Sequence, residues 1–407
     1  MASDRPVSRR TALGGLAAAL AAPAVLSAQH FAGYRLVFTE VEVFPDTMPG
    51  GLSHFRIPAL VSTGSNLLVA FCEGRRHRAD HGDTDILVKT SVDGGRTWTR
   101  PECQVPDAAT CAGGQADRRL HDTIVGTGED GFRRQANWRN PTVVYAIGRL
   151  FLFLVLDEGG ETQASILKGR STYRSRLFVL QSTTPEWSWD ERIEWSDPRE
   201  LTLGHAFRFA QFGPGAAAYN DSRLIVPAAT SNGSVADSMS FCMLSDDFGL
   251  TWQRSSPAGR ATEHQVTRLS DTDLLMSKRA ARTQDFWQSR DNGESWTRLG
   301  GDPRVVTPLV QTGLATDLIG RPILTGPNHP TDRVDLSMWV RDFDGQWSEP
   351  IPIETGLRCR SKQDCQNTQG YSCPAVMADG RVVVLYEDSK HGQPYSRINC
   401  AGLVLTL

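Results

Sequence analysis

The chain has 407 residues, of which 40% are hydrophobic, so its length suits one large domain or two smaller ones with a substantial buried core. It carries 43 Lys and Arg against 46 Asp and Glu, a formal net charge of −3. This even balance gives no sign of a strongly basic surface for nucleic acid or of an acidic tail, so charge alone indicates no partner.

The first residues resemble an export signal. Arg9 and Arg10 form a twin-arginine pattern, an apolar run follows over residues 14–22, and the small residues at 26–28 suit a cleavage site. The run is too short to span a bilayer. We therefore predict a twin-arginine-type signal peptide over residues 1–28, no membrane span, and a periplasmic or secreted mature protein.

Eight cysteines are present, and export gives them two possible roles. Cys103 and Cys111, like Cys359 and Cys365, are closely spaced in polar stretches, so either pair is able to close a small loop in an oxidising compartment. The spacing leaves the pairing open. The other four lie in or beside strand-like runs and are interpreted as buried thiols: Cys72, Cys242, Cys373 and Cys400.

Beyond residue 30 the chain shows short apolar runs rather than helical periodicity. Most are four to seven residues long and are bounded by Gly, Asp, Asn or Pro, which is typical of an all-β protein. The runs are 67–71, 85–89, 150–156, 177–181, 223–227, 241–244, 274–278, 322–325, 336–340, 382–386 and 403–407.

A repeat of the form Ser-x-Asp-x-Gly-x-Thr/Ser-Trp follows three of these runs, at 91–98, 245–252 and 289–296. Weaker echoes occur at 342–347 and 182–187. The second and third full copies start 44 residues apart, at 245 and 289, a spacing that suits one four-stranded propeller blade.

The repeat has the chemistry of a hairpin turn. An Asp side chain accepts hydrogen bonds from turn amides, Gly adopts the positive φ, and Trp packs the next strand. We therefore assign Asp93, Asp247 and Asp291 to the scaffold. The repeat resembles the Asp-box of the sialidase superfamily and of several unrelated propellers. This implies an all-β, six-bladed β-propeller, and we expect residues 29–407 to form that single catalytic domain.

Cleaving a sialic acid ketoside makes specific demands on a pocket. The substrate carboxylate needs guanidinium groups, and the leaving oxygen needs an acid. A carboxylate nucleophile would be repelled by the charged anomeric centre, whereas a tyrosine made basic by a neighbouring glutamate would not. Sialidases with a tyrosine nucleophile are known exceptions to the two-carboxylate rule.

Two motifs in the first quarter of the chain resemble sialidase signatures. Residues 55–58, Phe-Arg-Ile-Pro, look like the motif that opens sialidase catalytic domains and contain Arg56. Arg75 is followed by a loop bearing Asp80, in the position of the family's acid/base aspartate, with Asp83 as the nearest competitor. The resemblance implies that Asp80 protonates the leaving group and that Arg75 contacts the substrate or the acid loop.

Two further segments that match the family follow in the family's order. Glu263 begins a segment similar to the family's glutamate strand, and Arg279 matches the second arginine, with Arg282 as the alternative. Arg333 stands just before a strand, in the third arginine's position. The resemblance implies that Arg279 and Arg333 clamp the substrate carboxylate together with Arg56.

Two tyrosines compete for the nucleophile. Tyr371 lies in a Tyr-Ser step like the family's, and Tyr386 is the runner-up. Glu387 follows in a Leu-Tyr-Glu motif whose glutamate steadies the first arginine, Arg56. The resemblance implies that Tyr371 attacks, that Glu263 takes its proton, and that Glu387 orients Arg56.

Together these matches to the family imply a retaining exo-α-sialidase that acts on sialylated glycoconjugates as a monomer. The alternatives are a hydrolase of a related ulosonic acid (KDN or Kdo type), a non-catalytic glycan-binding propeller, and transfer instead of hydrolysis. No cofactor is implied, and the acidic and histidine residues of 77–85 match no common metal-ligand spacing.

Overall fold

The computed structural model describes residues 33–45, 52–80, 84–99, 123–125, 137–157, 161–170, 174–189, 193–202, 207–220, 222–233, 238–354, 369–390 and 393–405. The proposed signal peptide, Asp83 and the cysteines of the two closely spaced pairs lie outside these ranges. Within them, no helix has the length and apolar character needed to cross a membrane.

The chain begins with strand β1 (Tyr34–Phe44) and then builds two blades. Blade 1 consists of β2 (His54–Ser62), β3 (Leu68–Arg75), β4 (Thr84–Ser91) and β5 (Thr123–Val125). Blade 2 consists of β6 (Asn137–Ala146), β7 (Arg149–Asp157), β8 (Arg176–Gln181) and β9 (Arg199–Leu201), with helix α1 (Gln163–Leu167) between β7 and β8.

Blade 3 has an interrupted inner edge. It contains β10 (Phe209–Phe212), β12 (Ala218–Asn220), β13 (Arg223–Ser231), β14 (Met239–Ser245) and β15 (Gln253–Arg254). Both β10 and β12 pair with β13, while the short β11 (Gly215–Ala216) between them pairs with β6 of blade 2.

The remaining strands form three four-stranded sheets. Blade 4 consists of β16 (His264–Arg268), β17 (Leu274–Arg279), β18 (Gln284–Ser289) and β19 (Thr297–Gly300). Blade 5 consists of β20 (Gly313–Thr316), β21 (Pro322–Pro327), β22 (Leu336–Val340) and β23 (Ile351–Glu354). Blade 6 consists of β24 (Ser372–Val376), β25 (Val382–Lys390), β26 (Gln393–Leu405) and β1.

The two ends of the described chain close the ring. Strand β1 pairs antiparallel with β26, from Tyr34 opposite Leu405 to Phe44 opposite Ile398. The outer strand of blade 6 thus comes from the opposite end of the sequence to its other three. A channel along the axis is lined by six inner segments, one from each blade: 60–62, 143–145, 216–219, 266–269, 314–316 and 374–376.

Strands sandwiched between neighbouring blades are apolar on both faces. Every residue of β3 is buried, for example, because blades 6 and 2 cover its two sides. Six apolar clusters fill the spaces between successive blades around the ring, and this packing explains the continuous apolar runs in the sequence. The prediction of an all-β, six-bladed propeller is confirmed.

The Asp-box turns adopt the predicted hydrogen bonding. Asp93 Oδ1 accepts from the amides of Arg96 and Thr97 at 3.0 and 2.9 Å, and its Oδ2 accepts from the Thr97 hydroxyl at 2.6 Å. Gly95 has φ +88°. In the turns around Asp247 and Asp291 the carboxylate likewise accepts from the amide and the hydroxyl of the residue four positions on, Thr251 and Ser295.

The four cysteines of the strand-like runs are buried, as interpreted from the sequence: Cys72, Cys242, Cys373 and Cys400. They belong to the apolar packing between and within blades.

Candidate active site

A cavity of about 810 Å³ opens at the end of the propeller opposite the first Asp-box. Arg75 ends β3 and pairs with Thr84 at the start of β4, whereas the Asp-box follows the far end of β4. Seven of the eight predicted site residues line this cavity: Arg56, Arg75, Asp80, Glu263, Arg279, Arg333 and Tyr371. The eighth, Glu387, lies directly beneath it.

Glu387 holds the first arginine in place. Its Oε1 accepts from Arg56 Nε at 2.6 Å and from the Ile57 amide at 2.9 Å, while its Oε2 accepts from the Tyr371 amide at 3.0 Å. Glu387 is fully buried, and Arg56 is 9% exposed. Burial by itself lowers the pKa of Arg56, but the charge of Glu387 raises it overall. One carboxylate therefore positions both a guanidinium group and the backbone beside the tyrosine.

The local backbone makes this contact possible. Ile57 has φ +59°, and the β2–β3 register is interrupted between Arg56 and Ala59. A bulge of this kind redirects side chains at the end of a strand. Here it allows the Ile57 amide and the Arg56 side chain to meet the same carboxylate oxygen.

Tyr371, Glu263 and Arg279 form a hydrogen-bonded triad. The Tyr371 hydroxyl donates to Glu263 Oε1 at 2.6 Å. Arg279 Nη1 donates to Glu263 Oε2 at 2.5 Å and to the Tyr371 hydroxyl at 2.9 Å. The phenol oxygen is thus held between a carboxylate that is able to accept its proton and a cation that stabilises its oxygen.

The environment of Tyr371 opposes ionisation of the free phenol. The side chain is 5% exposed. Burial first, and then the negative charge of Glu263, raise its pKa above the ordinary value, although the charges of Arg279, Arg333 and Arg56 act in the opposite direction. Tyr371 therefore remains protonated at neutral pH, and its proton must leave during any attack.

A second tyrosine completes the arginine cluster and was missed in the sequence. Tyr395 has its ring 4.1 Å from Arg56 Cζ, and its hydroxyl accepts from Arg333 Nη1 at 3.0 Å. Arg56 Cζ and Arg333 Cζ each lie 5.5 Å from the centroid of the Tyr371 ring. Tyr395 is in no motif that marks it, and only the closing strand β26 brings it to the cluster.

Arg75 connects the loop aspartate to the propeller. Its Nη1 donates to Asp80 Oδ1 at 2.7 Å, and its Nε donates to Glu73 Oε2 at 2.8 Å. The other oxygen of Glu73 accepts from the Asn140 amide at 2.8 Å. Glu73, which sequence reasoning also missed, is fully buried and lines the cavity. It links blade 1 to blade 2 beneath Arg75.

Asp80 itself projects from the rim. Its side chain is 82% exposed, with Arg56 Nη1 3.7 Å from Oδ1 in addition to Arg75. Desolvation raises its pKa, but the charges of Arg75 and Arg56 outweigh this effect, so the pKa lies below the ordinary value. Asp80 is an ionised carboxylate at neutral pH before any substrate enters.

The wall on the side of blades 2 and 3 is polar. Arg139 and Asp157 form an ion pair there, and Gln163 and Gln211 also line the cavity. The side chains of Arg139 and Asp157 are 12% and 3% exposed. Among the described residues, Arg139 Nε and Asp157 Oδ1 have no hydrogen-bond partner, and both atoms are buried.

Two alternatives kept open by the sequence lie elsewhere. Tyr386 is fully buried in the apolar cluster between blades 5 and 6, because neighbouring residues of β25 point to opposite faces and Glu387 takes the face towards the cavity. Arg282 lies in the turn between β17 and β18 with φ +70° and does not line the cavity. The geometry favours Tyr371 and Arg279 over these two.

The family model for the BNR repeat-like domain matches residues 66–384. The chain belongs to the BNR repeat-like family. Among solved structures, this family member is similar to the Hadza microbial sialidase Hz136 (TM-score 0.65, 20% identity, 86% of this chain and 66% of that one). It is also similar to the intramolecular trans-sialidase of Ruminococcus gnavus (TM-score 0.64, 18% identity, 90% and 97%). At such identities these likenesses show the fold alone.

Curated relatives of this BNR repeat-like chain are sialidases. The exo-alpha-sialidase of Arthroderma benhamiae is 27% identical over 230 residues, which cover 52% of this chain and 50% of the relative. The sialidase of Micromonospora viridifaciens is 25% identical over 418 residues (95% and 58%), and the exo-alpha-sialidase of Aspergillus fumigatus 28% over 314 residues (71% and 68%). The chain thus spans 50% and 58% of the first two relatives' length.

Proposed function

We propose that this chain is a retaining exo-α-sialidase that uses Tyr371 as its nucleophile. The observation that carries the proposal is the short Tyr371–Glu263 hydrogen bond in a cavity that Arg56, Arg279 and Arg333 help to line. A protein that only binds a glycan carboxylate needs cations, but has no use for a buried phenol paired with a proton acceptor. The curated sialidase relatives support the same reaction.

Substrate binding begins with the carboxylate on the anomeric carbon. Arg56, Arg279 and Arg333 meet around Tyr371, so a carboxylate held by their guanidinium groups brings the anomeric carbon to the phenol oxygen. Glu387 and Tyr395 hold two of these arginines before substrate arrives. Such preorganisation reduces the entropy lost on binding.

The first chemical step breaks the ketosidic bond. Tyr371 Oη bonds to the anomeric carbon, its proton moves to Glu263 Oε1, and the leaving oxygen takes a proton from Asp80. A covalent glycosyl-tyrosine results. In the second step Asp80 removes a proton from water, and the water oxygen bonds to the anomeric carbon as the bond from that carbon to Tyr371 Oη breaks. The released phenolate recovers its proton from Glu263. Two displacements give net retention.

Asp80 must change its protonation between these steps. The free protein holds it ionised against Arg75 and Arg56, which suits the second step. A bound substrate covers the exposed carboxyl and brings its own carboxylate to Arg56, and both changes raise the pKa of Asp80. Substrate binding thus favours the protonated form of Asp80 that the first step needs.

The polar wall supports a second candidate, hydrolysis of a deaminated ulosonic acid ketoside. The cavity wall formed by blades 2 and 3 presents the Arg139–Asp157 ion pair and two glutamines. A polar lining of this kind suits the hydroxyl group of a deaminated sugar better than the methyl group of an N-acetyl substituent. The mechanism is the same for both substrates.

The testing experiment is hydrolysis of chromogenic α-ketosides of N-acetylneuraminic acid and of its deaminated analogue. Wild type is expected to turn over at least one of them, and Tyr371→Phe to lose roughly 10³-fold or more in kcat, as expected when a covalent nucleophile is removed. Tyr145→Phe is the matched control, because Tyr145 also bonds a glutamate, Glu186, but lines the axial channel.

Each outcome has a distinct meaning. Turnover of the deaminated ketoside alone would support the proposed mechanism and would show that the substrate is a deaminated ulosonic acid ketoside. Full activity of Tyr371→Phe would remove the proposed nucleophile. No turnover of either ketoside by wild type would favour a glycan-binding propeller.

We also propose that residues 29–407 form the single mature domain and that it is exported. The twin-arginine pattern and the propeller closed by β1 and β26 support these boundaries. N-terminal sequencing of protein from the periplasm or medium of an expressing bacterium tests them. A first residue near Gln29 is the expected result, and retention of Met1 in the cytoplasm would contradict the proposal.

A further inference from the structure

The first strands of blades 1 and 2 contain the same kind of bulge. Residues 55–58 of β2 read Phe-Arg-Ile-Pro, and residues 138–141 of β6 read Trp-Arg-Asn-Pro. The residue before the proline has a positive φ in both segments, +59° at Ile57 and +53° at Asn140. The register with the second strand of the blade is interrupted at this point in both cases. A positive φ is costly for a residue with a side chain, so contacts with the surrounding structure must hold it.

A buried glutamate of the preceding blade accepts a hydrogen bond from each bulge. The Ile57 amide donates to Glu387 of blade 6 at 2.9 Å, and the Asn140 amide donates to Glu73 of blade 1 at 2.8 Å. Both glutamates lie in the second strand of their blade and are fully buried. Glu73 thus has the same place in blade 1 that Glu387 has in blade 6.

The two glutamates differ in the arginine that they bind. Glu387 binds Arg56 of the following blade, whereas Glu73 binds Arg75 of its own strand. Glu73 Oε2 accepts from Arg75 Nε at 2.8 Å and also from Nη2. The remaining nitrogen, Nη1, donates to Asp80 Oδ1 at 2.7 Å. The Arg75 side chain is 5% exposed and that of Asp80 82%, so a fixed, buried guanidinium group holds an exposed carboxylate at the cavity rim.

The charge of Glu73 also bears on the acid. Desolvation raises the pKa of Asp80, but Arg75 of β3, Arg56 of β2 and Arg139 of β6 together bring it below the ordinary value. A carboxyl group whose pKa lies far below the working pH is rarely protonated and is a poor proton donor. Glu73 binds the opposite edge of the Arg75 guanidinium group, so its negative charge offsets part of the positive charge that faces Asp80.

We propose that Glu73 is a positioning residue for the acid of the reaction. It fixes the Arg75 guanidinium group and, through it, the Asp80 carboxyl, and its charge keeps Asp80 able to take up the proton that it donates. This inference rests on the proposed function, in which Asp80 protonates the leaving oxygen. Glu73 acts through Arg75 and takes no part in bond making or breaking.

Two ketosides with different leaving groups test this role, both made from the acid sugar that wild type hydrolyses. A nitrophenyl ketoside releases a stable anion and needs little help from an acid, whereas a methyl ketoside needs its leaving oxygen protonated. We expect Glu73→Gln to lower kcat/KM about 10-fold or more for the methyl ketoside but at most about 3-fold for the nitrophenyl ketoside, a part of the effect of a general acid. A residue that only stabilises the fold would affect both substrates alike.

A second measurement does not depend on turnover. Carbon-13 NMR of protein labelled at the aspartate carboxyl groups gives the pKa of Asp80, and Asp80→Asn identifies its signal. Glu73→Gln is expected to lower this pKa, because Arg75 then acts on Asp80 without an opposing charge. Glu200→Gln is the matched control, since Glu200 also bonds an arginine, Arg176, through both oxygens, but on the surface. It is expected to leave the pKa and the ratio of the two activities unchanged.

Glu73→Asp decides the case in which Glu73→Gln does not fold, because it keeps a negative charge beside the buried Arg75. The shorter side chain withdraws the carboxylate from the guanidinium group, so the methyl ketoside should lose more activity than the nitrophenyl ketoside. Equal losses for the two ketosides, or an unchanged pKa of Asp80 in Glu73→Gln, would overturn the proposal. A wild type that hydrolyses neither ketoside would instead count against the proposed function, and the NMR titration would then decide alone whether Glu73 controls Asp80.

Discussion

The Tyr371 hydroxyl lies 2.6 Å from Glu263 Oε1, although 108 residues separate the two in the chain. Two different blades supply them, since Glu263 precedes β16 of blade 4 and Tyr371 precedes β24 of blade 6. Because the Tyr371 pKa is raised by burial and by Glu263 itself, the glutamate is the group able to accept the proton when the phenol attacks.

Glu263→Gln is therefore expected to lower kcat about 10²–10⁴-fold, the usual contribution of a general base. The glutamine still accepts the hydrogen bond from Tyr371 but is unable to take its proton. KM changes less than kcat, because the arginines that bind the carboxylate remain. Steady-state kinetics checks this, with Glu200→Gln as control, because Glu200 lies on the surface and both its oxygens bond Arg176. A variant with unchanged kcat would exclude Glu263 as the base.

Glu387→Gln is expected to damage both binding and stability. The buried Arg56 loses its charged partner, and breaking a buried ion pair costs about 3–5 kcal/mol. We expect a higher KM, a lower kcat and a lower urea midpoint. Urea unfolding and kinetics measured together check this. An unchanged KM in a stably folded variant would show that Glu387 does not position Arg56 for binding.

The pH dependence of the reaction is expected to follow Asp80. As an acid it must be protonated, and in the free protein Arg75 and Arg56 hold its pKa below the ordinary value, so kcat/KM falls as pH rises from the acidic range. The corresponding decrease in kcat is expected at higher pH than the decrease in kcat/KM, because bound substrate desolvates the Asp80 carboxyl and raises its pKa. Asp80→Asn is expected to lose this limb in pH–rate profiles. Identical profiles for variant and wild type would contradict the assignment.

The Asp-box carboxylates are expected to contribute to acid unfolding. Hydrogen bonds outweigh desolvation at Asp93 and Asp291 and lower their pKa, and at Asp247 they lower it to about 2. Because the folded-state pKa is depressed, their stabilisation is present above the unfolded value of about 3.9 and is lost as pH falls through the folded value. Replacing all three with Asn should reduce the difference between urea midpoints at pH 6 and pH 2. An equal difference would contradict this.

The ion pair in the polar wall is expected to set substrate preference. Replacing Arg139 and Asp157 together with leucine removes both charges and leaves neither buried alone. The ratio of kcat/KM for the N-acetyl ketoside to that for the deaminated ketoside should rise about 10-fold or more, as expected when a polar contact becomes apolar. Tyr145→Phe should leave the ratio unchanged. A constant ratio in the double variant would show that the wall does not contact this substituent.

The sequence by itself determined the architecture. The sequence contains short apolar runs separated by turn residues, and three Asp-boxes in which Asp and Gly form a turn with their close neighbours. These features are enough to indicate propeller blades, because hairpins are built from neighbouring residues. It also predicted seven residues that the fold brings to one cavity, since they stand in short motifs. Their catalytic roles remain proposals.

Only the tertiary structure decided what depends on contacts between blades. The sequence motifs leave both Tyr371 and Tyr386 as candidates for the nucleophile. The alternation of side chains along β25, together with packing against blade 5, places Tyr386 in the core, whereas Tyr371 lines the cavity. Tyr395 of blade 6 meets Arg333 of blade 5, and Glu73 of blade 1 meets Asn140 of blade 2, only because neighbouring blades pack together. A local sequence pattern predicts which residues form a strand. It does not predict which distant side chains meet, because those contacts depend on how six blades pack around one axis.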